Sequence, residues 1–206
     1  MVASGPDART FLQGKSHVSV FPRRLRCMSV KRWTVYESPI GPLTVAVSPN
    51  GLTDLNFPGR LSPPGDAEKG PLPEVTAQLD AYFAGELREF DLALDPHGTP
   101  LQKAVWRALL EIPYGETASY GEQAAKIDPS LFDPGVEPWQ HARVVGAANG
   151  QNPISIVIPC HRVIGADGSL TGYGGGLERK QTLLDLERGE PDGGAPPAQD
   201  SQLTMI

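Results

Sequence analysis

The sequence predicts an α+β fold in two parts. Strand-like runs crowd the first half, helix-like runs fill the second, and the Pro-His-Gly-Thr-Pro stretch at 96–100 makes a plausible linker between them. In the first half, Trp33-Thr34-Val35-Tyr36 and Leu43-Thr44-Val45-Ala46-Val47 have strand chemistry around a Gly41-Pro42 turn. Leu52 to Phe57 follows an Asn50-Gly51 turn, so hairpins are expected. Residues 58–72, with their Pro, Gly and charge, read as a loop. Val75, Leu79, Tyr82 and Phe83 then recur at helical spacing, and Phe90 to Asp95 alternates as a short strand.

Past the linker, Leu101, Val105, Trp106, Leu109 and Leu110 line one face of a helix that stops near Pro113-Tyr114-Gly115. Ser119-Tyr120-Gly121-Glu122 is a capping-box pattern opening a second helix through Ile127. Residues 128–138 carry three prolines and three acids and break it. A third helix runs from Trp139 or Gln140 to Ala148. The last two helices suit a helix-turn-helix, although their connection exceeds the usual three to four residues and core-packing helices would look the same. Four segments follow: an extension at 1–27, an N-terminal α/β domain at 28–95, a C-terminal domain at 96–189 and a disordered tail at 190–206. The extension is Arg-rich and lacks a sustained apolar stretch, so it is not a secretory signal; it is expected to be disordered or non-native, with Met28 as the true start.

Composition limits the function. No window approaches the length of an apolar membrane span. The net charge of −6 argues against a protein that holds nucleic acid mainly by charge. Cys27 and Cys160 are the only cysteines, too few for a disulfide framework, and no C-x-x-C pair suggests a metal. A reducing, cytoplasmic setting follows.

The chemistry concentrates in Ile154-Ser155-Ile156-Val157-Ile158-Pro159-Cys160-His161-Arg162-Val163-Ile164. An apolar strand is expected to deliver the thiol into a defined pocket. A free thiol ionises near pH ~8.5, and an imidazole or helix N-terminus lowers that value. Neighbours on a strand face opposite ways, so His161 would reach Cys160 only across a bend or through a water. Taken alone, the pair reads equally well as a small buried hydrophobe beside a satisfied histidine.

Pro159-Cys160-His161-Arg162-Val163 resembles the signature of the O6-alkylguanine-DNA alkyltransferase family, the methylated-DNA–protein-cysteine methyltransferases. The resemblance extends in order through Ser38 to Thr44, Gly98-Thr99, Val105-Trp106, Ile112 to Thr117, Ser119-Tyr120-Gly121, Arg143 to Gly146, Asn152-Pro153, Thr171 to Gly176 and Glu187, covering about residues 32–188. It implies a ribonuclease H-like N-terminal domain, followed by a helical domain with a helix-turn-helix variant and an active-site strand. It implies direct-reversal repair: one irreversible transfer of an alkyl group from guanine O6, and from thymine O4, to Cys160.

The same resemblance assigns roles. His161 is the base acting through a water, Glu187 orients it, and Asn152 links the recognition helix to the active-site strand. Tyr120 crowds the 3′ phosphate and bonds the flipped guanine, while Arg143 fills the vacated stack. The carbonyls of Cys160 and Val163 receive the guanine amine, and the backbone at Tyr173-Gly174 donates toward O6. The partner implied is double-stranded DNA containing O6-alkylguanine, met by a monomer without cofactor, metal or membrane. Some family members carry a structural zinc, but the Cys/His set for it is missing here.

Two departures stand out. Asp128 to Pro138 looks like an insertion within the helix-turn-helix, adding Asp128, Asp133 and Glu137 near expected phosphates. Gln140 and His141 also replace the small residues that usually open the recognition helix. Between residues 101 and 180, seven Lys/Arg face eight Asp/Glu, so affinity is expected from local contacts and shape. Two rivals remain at this level: a non-catalytic damage sensor, which would ordinarily lack the cysteine, and a Cys-His hydrolase, which would turn over.

Overall fold

A computed structural model describes residues 31–59 and 65–189, so the expectations for 1–27 and 190–206 fall outside the described residues. Three antiparallel strands open the chain: β1 (Arg32–Ser38), β2 (Gly41–Ser48) and β3 (Gly51–Asn56). The first turn is Pro39-Ile40 and the second Pro49-Asn50, because Ser38 pairs with Gly41 and Ser48 with Gly51. Each glycine therefore opens the next strand rather than sitting in the turn. Gly51 has a steric reason: a Cβ there would collide with the backbone of Ala93. A two-residue strand within the expected loop, β4 (Glu68–Lys69), adds parallel to β1, giving the order β3-β2-β1-β4. Helix α1 (Pro73–Phe83) starts on a proline and buries Val75, Leu79 and Tyr82.

Phe90 to Asp95 is not a strand. It makes one parallel bridge, Leu94 to Leu52, with the Leu52 N–H donating to Ala93 O and the Asp95 N–H to Leu52 O. Its side chains alternate, but the segment meets the edge of β3 only at Leu52, too briefly to form a ladder.

The second half is helical. Helix α2 (Pro100–Leu109) opens with a reciprocal capping box between Thr99 and Gln102, and Pro100 occupies its first turn. Helix α3 (Tyr120–Ala125) has the expected Ser119/Glu122 box. The chain between α3 and α4 (His141–Gly150) contains two 3-10 turns, Pro129–Leu131 and Pro138–Gln140, and the second runs directly into α4. Gln123 and Asn149 exchange buried amide hydrogen bonds between α3 and α4, and the Trp106 indole N–H donates to Ala148 O. These contacts fix the helix pair against α2 from inside. Strands β5 (Ala118–Ser119) and β6 (Val163–Ile164) pair in parallel, and α5 (Leu177–Arg188) closes the fold.

The two halves share one core, which runs from Val45, Leu52 and Leu55 of the sheet through Leu79 to Val105, Ile154, Ile158 and Leu183. Residues 153–155 dock on the outer edge of β3. The Leu55 N–H donates to Pro153 O at 2.9 Å, the Ser155 N–H to Leu55 O at 2.8 Å, and the Asn56 amide to Pro153 O. The sheet edge thereby grips the segment that leads to Cys160.

Candidate active site

Ile154 to Ile158 departs from the expected active-site strand; a run of turns takes its place. The Val157 N–H bonds Ser155 O at 2.9 Å, closing a three-residue turn around Ile156, whose φ of 73° is rare for a β-branched residue and costs about 1–3 kcal/mol. A second three-residue turn follows, with the Cys160 N–H on Ile158 O at 2.8 Å and Pro159 at its centre (φ −83°, ψ 64°). The proline ring supplies that φ. Cys160 then begins a 3-10 turn, Cys160–Arg162, before β6.

Asn152 holds both ends of this loop. Its Oδ1 accepts from the Ile154 N–H at 3.0 Å, and its Nδ2 donates to Ile158 O at 2.7 Å and to Cys160 Sγ at 3.2 Å. An N–H aimed at sulfur is complementary to negative charge there. Cys160 is buried, with 7% of the residue exposed. The cleft of about 720 Å³ bordered by Arg88, Tyr114, Pro159 and Arg162 does not include Cys160 among its lining residues.

Behind the thiol lies a buried relay. His161 Nε2 is 2.8 Å from Glu187 Oε1. Glu187 also accepts from the Tyr82 hydroxyl (2.8 Å), from Arg162 Nε and Nη2 (2.8 and 2.9 Å) and from the Gly115 N–H (3.2 Å). Arg162 Nη1 donates to Ile112 O at 2.7 Å, so Ile112 and Gly115 wrap the ion pair. Burial by itself would raise the Glu187 carboxyl, but hydrogen bonds and charge from His161 and Arg162 outweigh it and hold the group at about 2. His161 is pushed down, chiefly by burial, with Glu187 opposing and the cations Arg162 and Lys180 assisting. An ionised Glu187 only accepts, so a neutral His161 carries its proton on Nε2. Its Nδ1 is left as the acceptor, buried and without a hydrogen-bond partner among the described residues.

Of the residues expected at a site, Cys160, Asn152, His161 and Glu187 come together. Glu187 is buried although it lies at a helix end. Val163 lies in β6, and its carbonyl already accepts from Lys180 Nζ at 2.6 Å, so the guanine amine would have to share that oxygen. Tyr120 sits at the start of α3, its hydroxyl donating to Thr171 O at 3.2 Å, against the loop that carries Tyr173 and Gly174. Tyr173 packs edge-on to Phe57, and Gly174 is exposed. Arg143 is exposed on α4.

Three residues escaped the sequence reading. Arg162 neutralises Glu187, and Tyr82 reaches the same carboxylate from the other half of the chain. Lys180 is wholly buried and bonds Val163 O and Thr171 O; burial lowers its ammonium, while the charge of Cys160 pulls the other way. Arg162 adjoins the Cys-His step, which was an available signal; nothing local marked the other two.

A buried thiol held by an amide, followed in the chain by an imidazole paired with a carboxylate and set beside the α3–α4 helix pair, marks the class: a protein organised around a buried cysteine. The particular family emerges from comparison. Residues 31–96 match the ribonuclease-like domain, and residues 100–189 the DNA binding domain, of 6-O-methylguanine DNA methyltransferase. The chain belongs to this family.

The methylated-DNA–protein-cysteine methyltransferase of Mycobacterium tuberculosis (strain ATCC 25618 / H37Rv) is 53% identical over 156 residues, covering 74% of this chain and 89% of the relative. That of Methanosarcina acetivorans is 48% identical over 161 residues, covering 75% and 97%. Among solved structures, Mycobacterium tuberculosis OGT in complex with DNA superposes with a TM-score of 0.67 at 51% identity, covering 77% of this chain and 93% of that one. An enzyme from Pyrococcus kodakaraensis, 24% identical over 75% of this chain and 98% of its own, shares the fold with a TM-score of 0.52.

Proposed function

We propose that this protein repairs DNA by direct reversal, with Cys160 taking a methyl or larger alkyl group from guanine O6, and from thymine O4, once per molecule. The observation that carries the reading is the thiol at 3.2 Å from the Asn152 amide with the His161–Glu187 relay behind it, in a chain about half identical to named methyltransferases. His161 Nδ1 takes the thiol proton through one bridging water. Sulfur attacks the alkyl carbon, the C–S bond forms as the C–O6 bond breaks, and the electron pair leaves with guanine, which ends protonated on nitrogen. The product is a thioether with no route back, so each molecule acts once.

The base must leave the duplex first, at a cost of a few kcal/mol. Tyr120 receives it at the 3′ side and Arg143 occupies the gap. Among the described residues no helix is long and apolar enough to cross a membrane. A thiol that must stay reactive belongs in a reducing compartment, which supports the cytoplasm as its location.

Incubation with an O6-methylguanine oligonucleotide should add about 14 Da, one methylene, to the peptide holding Cys160, and stop at one equivalent. Binding without that mass gain would make the protein a sensor; continued turnover would make it a hydrolase. Arg143→Ala should slow transfer on duplex DNA by about tenfold or more, while single-stranded substrate, which needs no extrusion, reacts as before. Equal slowing on both substrates would remove Arg143 from that role.

A further inference from the structure

The segment between α3 and α4 is a built feature with one conspicuous exposed group. Asp128 Oδ1 caps its first turn by accepting from the Ser130 N–H at 2.9 Å. Phe132 is buried and lies flat on the His141 ring, centroids 3.7 Å apart and planes within 3°. The Glu137 N–H donates to Gln140 Oε1 at 3.0 Å, closing the final turn onto α4. The segment is thus anchored to the start of α4, yet it leaves Trp139 79% exposed. An indole so open to water is unusual for a residue type that is mostly covered.

Its position shows what it would meet. Gln140 and His141 are both right-handed helical, so the chain coils continuously from Pro138 into α4. Arg143 and Gly146 are three apart on one face of α4, and Trp139 lies about one turn before Arg143, in the 3-10 turn that runs into that helix. Gly146 fixes which way that face points, since a Cβ there would stand 3.5 Å from the Tyr120 ring. Tyr120 in turn bonds the loop at Thr171 that Lys180 ties to the thiol segment. Trp139 therefore extends the face that carries Tyr120 and Arg143. Residues 128–138 contain Asp128, Asp133 and Glu137 and no Lys or Arg, so they bring no cation to a phosphate.

We infer that Trp139 is a duplex-DNA contact: its indole lies against sugars and base edges beside the extruded nucleotide, adding an apolar foothold to a face that is short of positive charge. The inference rests on the reading of α3 and α4 as the DNA-binding face. Apolar side chains serve minor-groove proteins in this way, and their contribution does not depend on counterion release.

Full-length protein and Trp139→Ala, checked for equal circular dichroism, are titrated into a fluorescein-labelled undamaged duplex at several salt concentrations and followed by anisotropy. In parallel, acrylamide quenching of the emission lost in Trp139→Ala isolates this indole from Trp33 and Trp106. The expected result is about tenfold weaker binding with an unchanged salt slope, partial recovery in Trp139→Phe, and an indole quenched freely alone but shielded on DNA. Wild-type affinity in Trp139→Ala, or an indole still quenched on DNA, overturns the inference while leaving DNA binding intact. So does a concentration-dependent dimer that Trp139→Ala abolishes, which would assign the indole to a second copy. No anisotropy change with the wild-type protein overturns the DNA-binding reading itself.

Discussion

Cys160→Ala takes up no methyl group from an O6-methylguanine duplex, yet binds that duplex within about a factor of three of wild type, because losing one sulfur removes no phosphate contact. The surrounding loop does not depend on the thiol for its shape. Pro159 sets its turn, Asn152 still bonds Ile154 N and Ile158 O, and the Leu55–Ile154 bridge remains. The stability cost should stay near 1 kcal/mol, the scale of removing a small buried group. Intact mass and fluorescence anisotropy on the same sample read both quantities. Loss of binding together with transfer would show that the cysteine serves the fold rather than the reaction.

Glu187→Gln should have the next largest effect, through the tautomer of His161. A carboxylate can only accept, so the imidazole donates from Nε2 and keeps Nδ1 open. A glutamine can present its N–H₂ to Nε2, which moves the ring proton to Nδ1 and removes the base. A comparable change in a serine protease triad cost about 10⁴ in rate, and a loss of about a thousandfold in single-turnover transfer is expected here. Arg162 would also be left as a buried cation with no counter-charge, costing about 3–5 kcal/mol of stability. A Glu187→Gln protein that transfers at the wild-type rate would dismiss the relay.

The same group sets an acid limit. Glu187 has a folded pKa of about 2 against an ordinary 4.5, so between those values the unfolded chain binds the proton and the folded one does not. Its contribution is complete above about pH 4.5 and fades as pH falls toward 2, amounting to about 3 kcal/mol. His161, depressed from 6.5, acts in the same direction: the unfolded chain protonates it first, so stability begins to decline as pH drops below 6.5. Urea titrations from pH 7 to pH 3 should show both components in the wild type, with the lower one gone in Glu187→Gln. A wild-type curve that stays flat through pH 3 would contradict the ionised, buried carboxylate.

Local patterns carried most of the fold. Strand-like runs on either side of Gly41-Pro42 and Asn50-Gly51 announced the hairpins, although the turns themselves fall two residues and one residue earlier, and Ser119 with Glu122 announced the start of α3. Where the reading failed, a distant partner or a backbone constraint had decided the outcome. Ile154 to Ile158 is apolar enough for a buried strand, but Asn152 and Pro159 coil it into turns, and composition does not register that. Phe90 to Asp95 alternates like a strand yet finds only Leu52 to pair with. Within the site, the adjacent Cys160 and His161 were legible, whereas Tyr82 and Lys180 were not. Tyr82 meets Glu187 across a separation of 105 residues, and a lysine is read as a solvated surface charge until its carbonyl partners are seen.

The edge of β3 and the hydroxyl of Tyr82 make the reactive centre common property of both halves. Grafting the helical half onto a foreign N-terminal scaffold would transplant the nucleophile without its foundations. A chimera that preserved the chemistry would have to bring the β3 edge at Leu55 and Asn56, and the hydroxyl of Tyr82, along with the segment around Pro153 and Glu187.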